Sequence, residues 1–240
     1  MTDFVLVPGA WLGAWAWGEV VPALREAGCG AHALTLAGLA ERAGEEVGPG
    51  AHVHDIVDAI ERRDLRDVVL VGHSYAGIPV GQAAGRIGDR LAHVVYVDAV
   101  VPVEGASFAS VWWQGRPAFE QALARAGGRW MPQAAPDYAG QDLTDAQVER
   151  IVSGSTPHPG ASLTEPAELL RPVGELPSTY VSCLLDAPEP GPDVAALLAA
   201  DTWRHVHQDL ARGRRAFAGW GMAFEPCSGL NWAYGSALFA

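Results

Sequence analysis

The sequence predicts a parallel α/β fold, in which helices cover both faces of a central β-sheet. Short apolar runs with the character of strands alternate along the first half of the chain with stretches of helical periodicity. Glycine and proline punctuate the boundaries between these stretches, as expected for turns. Because the strands are apolar on both faces, they are typical of a parallel sheet buried between two layers of helices.

Four apolar runs of the first half have the length and composition of buried strands. They are residues 4–7, 31–36, 68–71 and 92–97. Three stretches with apolar residues at helical spacing lie between them. They are residues 17–27, 52–63 and 75–85. The chain therefore begins as a series of strand–helix–strand units.

The pattern changes over about residues 104–177, which we predict to be an insertion of helices that caps the sheet. Three tryptophans lie in this insertion: Trp112, Trp113 and Trp130. They either wall an apolar pocket or pack the cap onto the sheet, and we favour packing. Beyond the insertion the alternation resumes, with strands at 180–185 and 203–207 around a helix at 195–200. The sequence thus predicts a single domain over residues 1–240.

Composition excludes several classes of function. The net charge of −12 argues against nucleic acid or an anionic membrane as a partner. All 16 basic residues are arginine, so mechanisms that require a Schiff-base, pyridoxal-phosphate or Walker-type lysine are excluded.

The N-terminus, the apolar runs and the cysteines all bear on location. We find no signal-peptide pattern and no apolar run of about 18 residues, the length of a membrane span. The three cysteines, Cys29, Cys183 and Cys227, form no C-x-x-C pair. We therefore expect a cytoplasmic protein without disulfides. His205 and His207 share one face of a strand, but no third ligand has suitable spacing, so we expect no metal site.

The strongest chemical signal is the hexapeptide GHSYAG at 72–77, which directly follows the apolar strand DVVLV. It is a variant of the G-x-S-x-G elbow, with Ala76 in place of the second glycine and Gly77 one residue later. Such an elbow is a sharp strand-to-helix turn that exposes a nucleophilic serine, here Ser74, at the carboxyl edge of the sheet.

A second signal is the loop VPGAW that follows the first strand. A glycine-bearing loop at this place turns a backbone N–H toward the serine. Together with the first N–H of the next helix, it forms an oxyanion hole. The predicted donors are Ala10 and Tyr75.

These motifs resemble those of the small α/β hydrolases that include plant methyl esterases and hydroxynitrile lyases. The resemblance is carried by FVLVPGAWLGAWAWGEVVPALREAG (4–28), LTLAGLAER (34–42), VVLVGHSYAG (68–77), HVVYVDAVVP (93–102) and PSTYVSCLLD (177–186). It implies an α/β-hydrolase fold with a helical cap, no cofactor and a Ser-His-Asp triad. Ser74 matches the nucleophile and Asp186 the acid, with Asp98, at the end of a strand, as the alternative acid.

The expected catalytic histidine is missing. The resemblance places it in a loop after the last strand, where this sequence has Arg214. An arginine stays protonated and does not act as a base. Among the other histidines, His158 in the cap is a candidate to hang over the site, whereas His52 and His54 begin a helix that we expect in the outer layer.

We therefore carry three functional hypotheses. The first is a serine esterase that acts on a small ester with an apolar or aromatic acyl group. The second is a catalytically impaired or non-catalytic member that binds a small-molecule ligand. The third is a non-hydrolytic lyase or cyclase that uses Arg214 as an electrostatic group. An intact elbow and Asp186 favour the first, and the replaced histidine favours the second.

Overall fold

A computed structural model describes residues 2–45, 47–48, 50–112, 114–139, 143–182 and 190–207. Its strands, in chain order, are β1 (Asp3–Val7), β2 (Gly30–Ala33), β3 (Val68–His73), β4 (Leu91–Val97), β5 (Arg129–Trp130), β6 (His158–Pro159), β7 (Ser178–Ser182) and β8 (Trp203–His207). Its α-helices are α1 (Val20–Glu26), α2 (Ala51–Glu61), α3 (Gly77–Ile87), α4 (Arg116–Arg125), α5 (Asp145–Gly154), α6 (Gly160–Thr164) and α7 (Pro192–Leu198).

Six strands form a parallel sheet in the order β2-β1-β3-β4-β7-β8. The apolar run of β3 explains why it lies inside this sheet. Val68 and Leu70 belong to one buried cluster, and Val69 and Val71 belong to another. Successive side chains of a strand point to opposite faces, so both faces of β3 are covered. The predicted parallel α/β fold is confirmed.

Helices supply the second layer on each face. The cluster that contains Leu70 also holds Ile56 and Ile60 of α2. The cluster on the other face includes Val20 and Leu24 of α1. In each helix these apolar residues are four apart and share one side of the helix, which is the side that packs onto the sheet.

The register aligns the carboxyl ends of the central strands. Val7 of β1 pairs with Gly72, and His73 of β3 pairs with Val97 of β4. The loop after β1, the elbow after β3 and the turn after β4 therefore emerge at one edge of the sheet, which is where parallel α/β sheets place their sites.

The region predicted as a helical insertion contains α4, α5 and α6, and also a small antiparallel sheet. In this sheet β5 pairs with β6, with Trp130 opposite His158. A pair of two-residue strands is too short to give a periodic signal, so the sequence did not predict it. None of the helices described is long and apolar enough to span a membrane.

Some predicted boundaries were wrong. The strand expected over 31–36 ends at Ala33, which pairs with Leu6, because its neighbour β1 ends one residue later, at Val7. The helix expected over 195–200 runs over Pro192–Leu198 instead, with proline at its first position, where the missing N–H costs no hydrogen bond.

Candidate active site

Ser74 lies at a strained turn between β3 and α3. Its φ is 54°, in the left-handed region that residues other than glycine seldom adopt. A short 3₁₀ turn, Ser74–Ala76, links the strand to the helix. The Ser74 carbonyl accepts a hydrogen bond from Val100 N–H at 3.0 Å, which ties the turn to the chain after β4. This strand–turn–helix geometry is the one that a nucleophile elbow requires.

Small residues around Ser74 allow this close approach. A Cβ atom on Gly72 would lie 2.9 Å from Val80 Cγ2, and one on Gly77 would lie 2.4 Å from the carbonyl oxygen of Val100. Ala76, where the five-residue motif has glycine, is fully buried and fits as it stands. The close packing therefore explains why the second glycine of this elbow stands at 77.

We predict that Gly77→Ala lowers the free energy of unfolding by about 1–3 kcal/mol, because the new methyl group overlaps the Val100 backbone. Gly85 in the same helix is the matched control, since its nearest neighbour to an added Cβ is Arg171 Cγ at 3.6 Å. Gly85→Ala should raise stability by up to about 1 kcal/mol through helix propensity. Urea unfolding midpoints test this pair, and equal midpoints for the two variants would contradict the packing argument.

The loop after β1 packs directly against the elbow. A Cβ on Gly9 would lie 2.9 Å from His73 Nδ1 and 3.1 Å from Ser74 Cβ. Glycine at position 9 is therefore a condition for the loop to reach Ser74. The next residue, Ala10, is buried beside the turn.

Of the two predicted oxyanion donors, Ala10 follows Gly9, which lies against Ser74, and Tyr75 follows Ser74 directly. No described residue accepts a hydrogen bond from the N–H of Ala10. Tyr75 is the second residue of the 3₁₀ turn, so the hydrogen bonds of that turn do not use its N–H. Backbone donors held in this way suit an oxyanion that forms on an acyl group bound at Ser74.

The structure describes neither the predicted acid nor the residue at the expected position of the base. Asp186 and Arg214 both lie outside the described residues. Asp98, the alternative acid, follows β4 at the same edge as Ser74, with a left-handed φ of 44°. Within the described part of the chain, no hydrogen bond joins a histidine ring to Ser74 Oγ.

His158 is not the base that its place in the cap suggested. It is completely buried, and both ring nitrogens are occupied. Nδ1 accepts from Trp11 N–H at 3.3 Å, and Nε2 contacts Ser162 Oγ at 3.0 Å. Burial, together with the charges of His52 and Arg129, holds the pKa of His158 well below its ordinary value. The ring thus stays neutral at neutral pH.

The helix that contains His52, α2, covers one face of the sheet as expected, but the His52 side chain is buried. His52 shares a face of α2 with Ile56 and Ile60, and this face is buried against α3. Its Nδ1 lies 2.9 Å from the hydroxyl of Tyr75, and its Nε2 lies 2.9 Å from the carbonyl oxygen of Ala37. Burial lowers the pKa of His52. A sequence pattern does not distinguish such a buried, hydrogen-bonded histidine from an exposed one.

His205, the first histidine of the pair at 205 and 207, makes a side-chain hydrogen bond within the sheet. His205 Nε2 lies 2.8 Å from Ser182 Oγ, so β8 is tied to β7 by a side-chain hydrogen bond. Among the described residues no cluster of three histidine, cysteine, aspartate or glutamate side chains is arranged to hold a metal ion.

Comparison with known proteins identifies the family. The family model described as "Alpha/beta hydrolase family" matches residues 4–236, which is nearly the whole chain. The chain belongs to the alpha/beta hydrolase family. The match also continues beyond Arg214, through the segment in which the sequence departs from the expected histidine motif.

Several curated relatives of this alpha/beta hydrolase are named as esterases. A carbendazim hydrolyzing esterase from Nocardioides sp. (strain SG-4G) is 43% identical over 110 residues, 45% of this chain and 46% of that protein. The rice (Oryza sativa subsp. japonica) esterase PIR7B is 39% identical over 107 residues, 42% of this chain and 40% of that protein. These two alignments therefore span less than half of each relative. A probable hydrolase R7 from Phoma sp. (strain ATCC 20986 / MF5453) is 29% identical over 220 residues, 85% of this chain and 86% of that protein.

Solved structures agree with the fold of this alpha/beta hydrolase. An extracellular alpha/beta-hydrolase from a Paenibacillus species superimposes with a TM-score of 0.73 at 24% identity, over 87% of this chain and 89% of the other. Tomato methylketone synthase I gives a TM-score of 0.69 at 13% identity, over 90% and 92%. At these identities the likeness shows a shared fold.

Aromatic rings from the cap and from the loop after β1 form one cluster in this alpha/beta hydrolase. Its members are Trp11, Phe108, Trp112, Phe119 and Trp130. The ring centroids of Trp11 and Trp130 are 4.1 Å apart, and Phe119 is almost fully buried. Trp130 therefore packs the cap onto the loop after β1, and Trp112 packs against Phe108, Phe119 and Trp130 within the cap. Trp113 lies outside the described residues.

Proposed function

We propose that this protein is a serine hydrolase that cleaves small carboxylic esters through Ser74. The observation that carries the proposal is the turn itself, in which Ser74 has a left-handed backbone conformation between β3 and the 3₁₀ turn Ser74–Ala76. Two relatives that are named as esterases support the same reaction class, although the alignments cover less than half of each relative.

In the proposed reaction, Ser74 Oγ forms a bond to the acyl carbon and loses its proton to a base. The negative charge on the former carbonyl oxygen is held by the N–H groups of Ala10 and Tyr75. The carbon–oxygen bond to the alcohol then breaks, and the alcohol leaves with the proton. Water attacks the acyl-serine in the same way and releases the acid.

Asp186 is the proposed acid that orients the base, with Asp98 as its alternative. The base is not Arg214, because a guanidinium is protonated at every pH at which the protein works. An apolar or aromatic acyl group is the proposed substrate class, since the aromatic cluster begins at Trp11, directly after the donor Ala10.

A non-catalytic ligand-binding role is the second candidate function. The observation that favours it is Arg214 in the place of the expected histidine. A serine without a base is a weak nucleophile at neutral pH, although the elbow and the oxyanion donors still bind a carbonyl group.

Labelling with a fluorophosphonate probe separates the two functions, because the probe reacts only with an activated serine. We predict that the wild-type protein is labelled, that Ser74→Ala is not, and that Ser153→Ala, which alters an exposed serine of α5, is labelled like the wild type. An unlabelled wild-type protein in which Arg214→His restores labelling would instead identify a binding protein with a disabled hydrolase site.

A further inference from the structure

We propose that His158 is a positioning residue for the oxyanion donor Ala10, and that it acts through the backbone of Trp11. This inference rests on the proposed function of Ser74, since it concerns the loop that would hold the oxyanion. The evidence is a set of buried hydrogen bonds between the cap and the residue that follows Ala10.

Trp11 has an unusual backbone conformation. Its φ is 68°, in the left-handed region, which is rare for a bulky side chain and persists only where the surroundings impose it. The peptide that joins Ala10 to Trp11 carries the Trp11 N–H, and the Ala10 N–H belongs to the preceding peptide, so the two N–H groups are linked through the φ and ψ of Ala10. A change at Trp11 would therefore reorient Ala10 relative to Ser74.

Hydrogen bonds from the cap to the backbone and the indole of Trp11 impose this conformation. Trp11 N–H donates to His158 Nδ1 at 3.3 Å, and the Trp11 carbonyl accepts from Thr156 N–H at 2.9 Å. The indole Nε1–H donates to the carbonyl of Trp130 at 3.0 Å. Because Trp130 and His158 pair in the β5–β6 sheet, one small element of the cap holds Trp11 at three points.

The hydrogen bonds fix a single tautomer of His158. Trp11 N–H is only a donor, so Nδ1 must be the acceptor and Nε2 must carry the proton. Nε2–H then donates to Ser162 Oγ at 3.0 Å, and the hydroxyl of Ser162 donates to the carbonyl of Pro159 at 2.9 Å. With His158 0% exposed, water has no access to replace these contacts.

The same segment of the cap also holds the second donor residue. The hydroxyl of Tyr75 lies 2.9 Å from His52 Nδ1 and 3.3 Å from the carbonyl oxygen of Ser162. The ring of Tyr75 stands edge-on to His158, with centroids 4.6 Å apart. Residues 156–162 of the cap thus contact Trp11, which follows the donor Ala10, and also Tyr75, the second donor residue.

Substitutions at His158 separate positioning from general packing. His158→Asn keeps an acceptor near the place of Nδ1, His158→Gln places its amide toward Ser162 instead, and His158→Leu keeps similar volume without either hydrogen bond. We expect His158→Asn to react with the probe at the wild-type rate, and His158→Gln and His158→Leu to react more slowly. The rate constant for fluorophosphonate labelling of Ser74 should fall about 10–100-fold in the Gln and Leu variants, somewhat less than the loss of a whole oxyanion donor.

Amide hydrogen exchange at Trp11 supplies a readout that does not depend on activity. In His158→Gln and His158→Leu the Trp11 amide should exchange at least about 10-fold faster than in the wild type and in His158→Asn, because its acceptor is gone. If His158→Leu does not fold, the comparison of Asn with Gln decides. Equal exchange at Trp11 in all four proteins, or equal labelling despite faster exchange, would overturn the proposal.

Failure of the proposed function is distinguishable from failure of this inference. A wild-type protein that the probe does not label contradicts the role of Ser74, whereas the exchange measurement alone still decides whether His158 holds Trp11.

Discussion

Replacing Ser74 with alanine is expected to lower kcat/KM for a short p-nitrophenyl ester by about 10³-fold or more, which corresponds to at least about 4 kcal/mol of transition-state stabilisation. The alanine variant has no oxygen to form the acyl-enzyme, whereas the donors at Ala10 and Tyr75 remain. The measurement is release of p-nitrophenol under steady-state conditions, with KM and kcat separated.

Two further variants make this result interpretable. Ser153→Ala alters an exposed serine of α5 and should leave kcat/KM unchanged. Arg214→His tests the residue at the expected position of the base, and a gain in kcat without a change in KM would show that the rest of the site is intact. Equal rates for the wild type and Ser74→Ala would remove Ser74 from the reaction.

Acidification below pH 6.5 is expected to reduce the stability of the protein, by about 2 kcal/mol at pH 4.5 from His93 alone. Three buried histidines have depressed pKa values. Burial is the main cause in each, and it lowers the pKa of His93 to about 4 and those of His52 and His158 to below their ordinary value. In the unfolded chain each histidine has the pKa of an exposed ring, which is about 6.5.

The sign follows from the number of protons bound. Below pH 6.5 these histidines bind protons in the unfolded state but stay neutral in the folded state. Their contribution to stability is therefore fully present above this pH and is lost as the pH falls. Each histidine that stays neutral in the fold contributes a slope of about 1.4 kcal/mol per pH unit. Urea unfolding at a series of pH values measures the total slope.

His158→Asn isolates one histidine from this total. The variant should reduce the slope between pH 6 and pH 5 by about 1.4 kcal/mol per pH unit, because it removes one titrating group. A slope that is the same in His158→Asn and in the wild type would mean that His158 is not held neutral.

The sheet was the part of the fold that the sequence predicted best. The run at 68–71 is apolar at every residue, and only a strand covered on both faces accommodates such a run. The strand predicted at 203–207 matches β8 residue for residue. Local composition determines these elements, so a single sequence reveals them.

The elbow was predictable for a related reason. Its glycines and its place between a strand and a helix are local, and the structure puts Ser74 at the turn that these residues predict. The acid at Asp186 and the substitution at Arg214 remain sequence predictions, because both residues lie outside the described part of the chain.

The contacts between the cap and the site were not predictable. Trp11 carries no sequence sign of its left-handed backbone, and it is held by residues about 120 to 150 positions away, such as Trp130 and His158. The burial of His52 depends likewise on Tyr75, which belongs to another element. Contacts between residues so far apart in the sequence arise from the tertiary fold, and the periodicity of a single segment does not predict them.

A crystal structure of the protein after reaction with a fluorophosphonate tests the central claim most directly. We predict a covalent bond from Ser74 Oγ to phosphorus, with the phosphonyl oxygen accepting hydrogen bonds from Ala10 N–H and Tyr75 N–H at about 2.7–3.1 Å. A probe attached to another residue, or a phosphonyl oxygen turned away from both N–H groups, would contradict the assignment of this elbow as the active site.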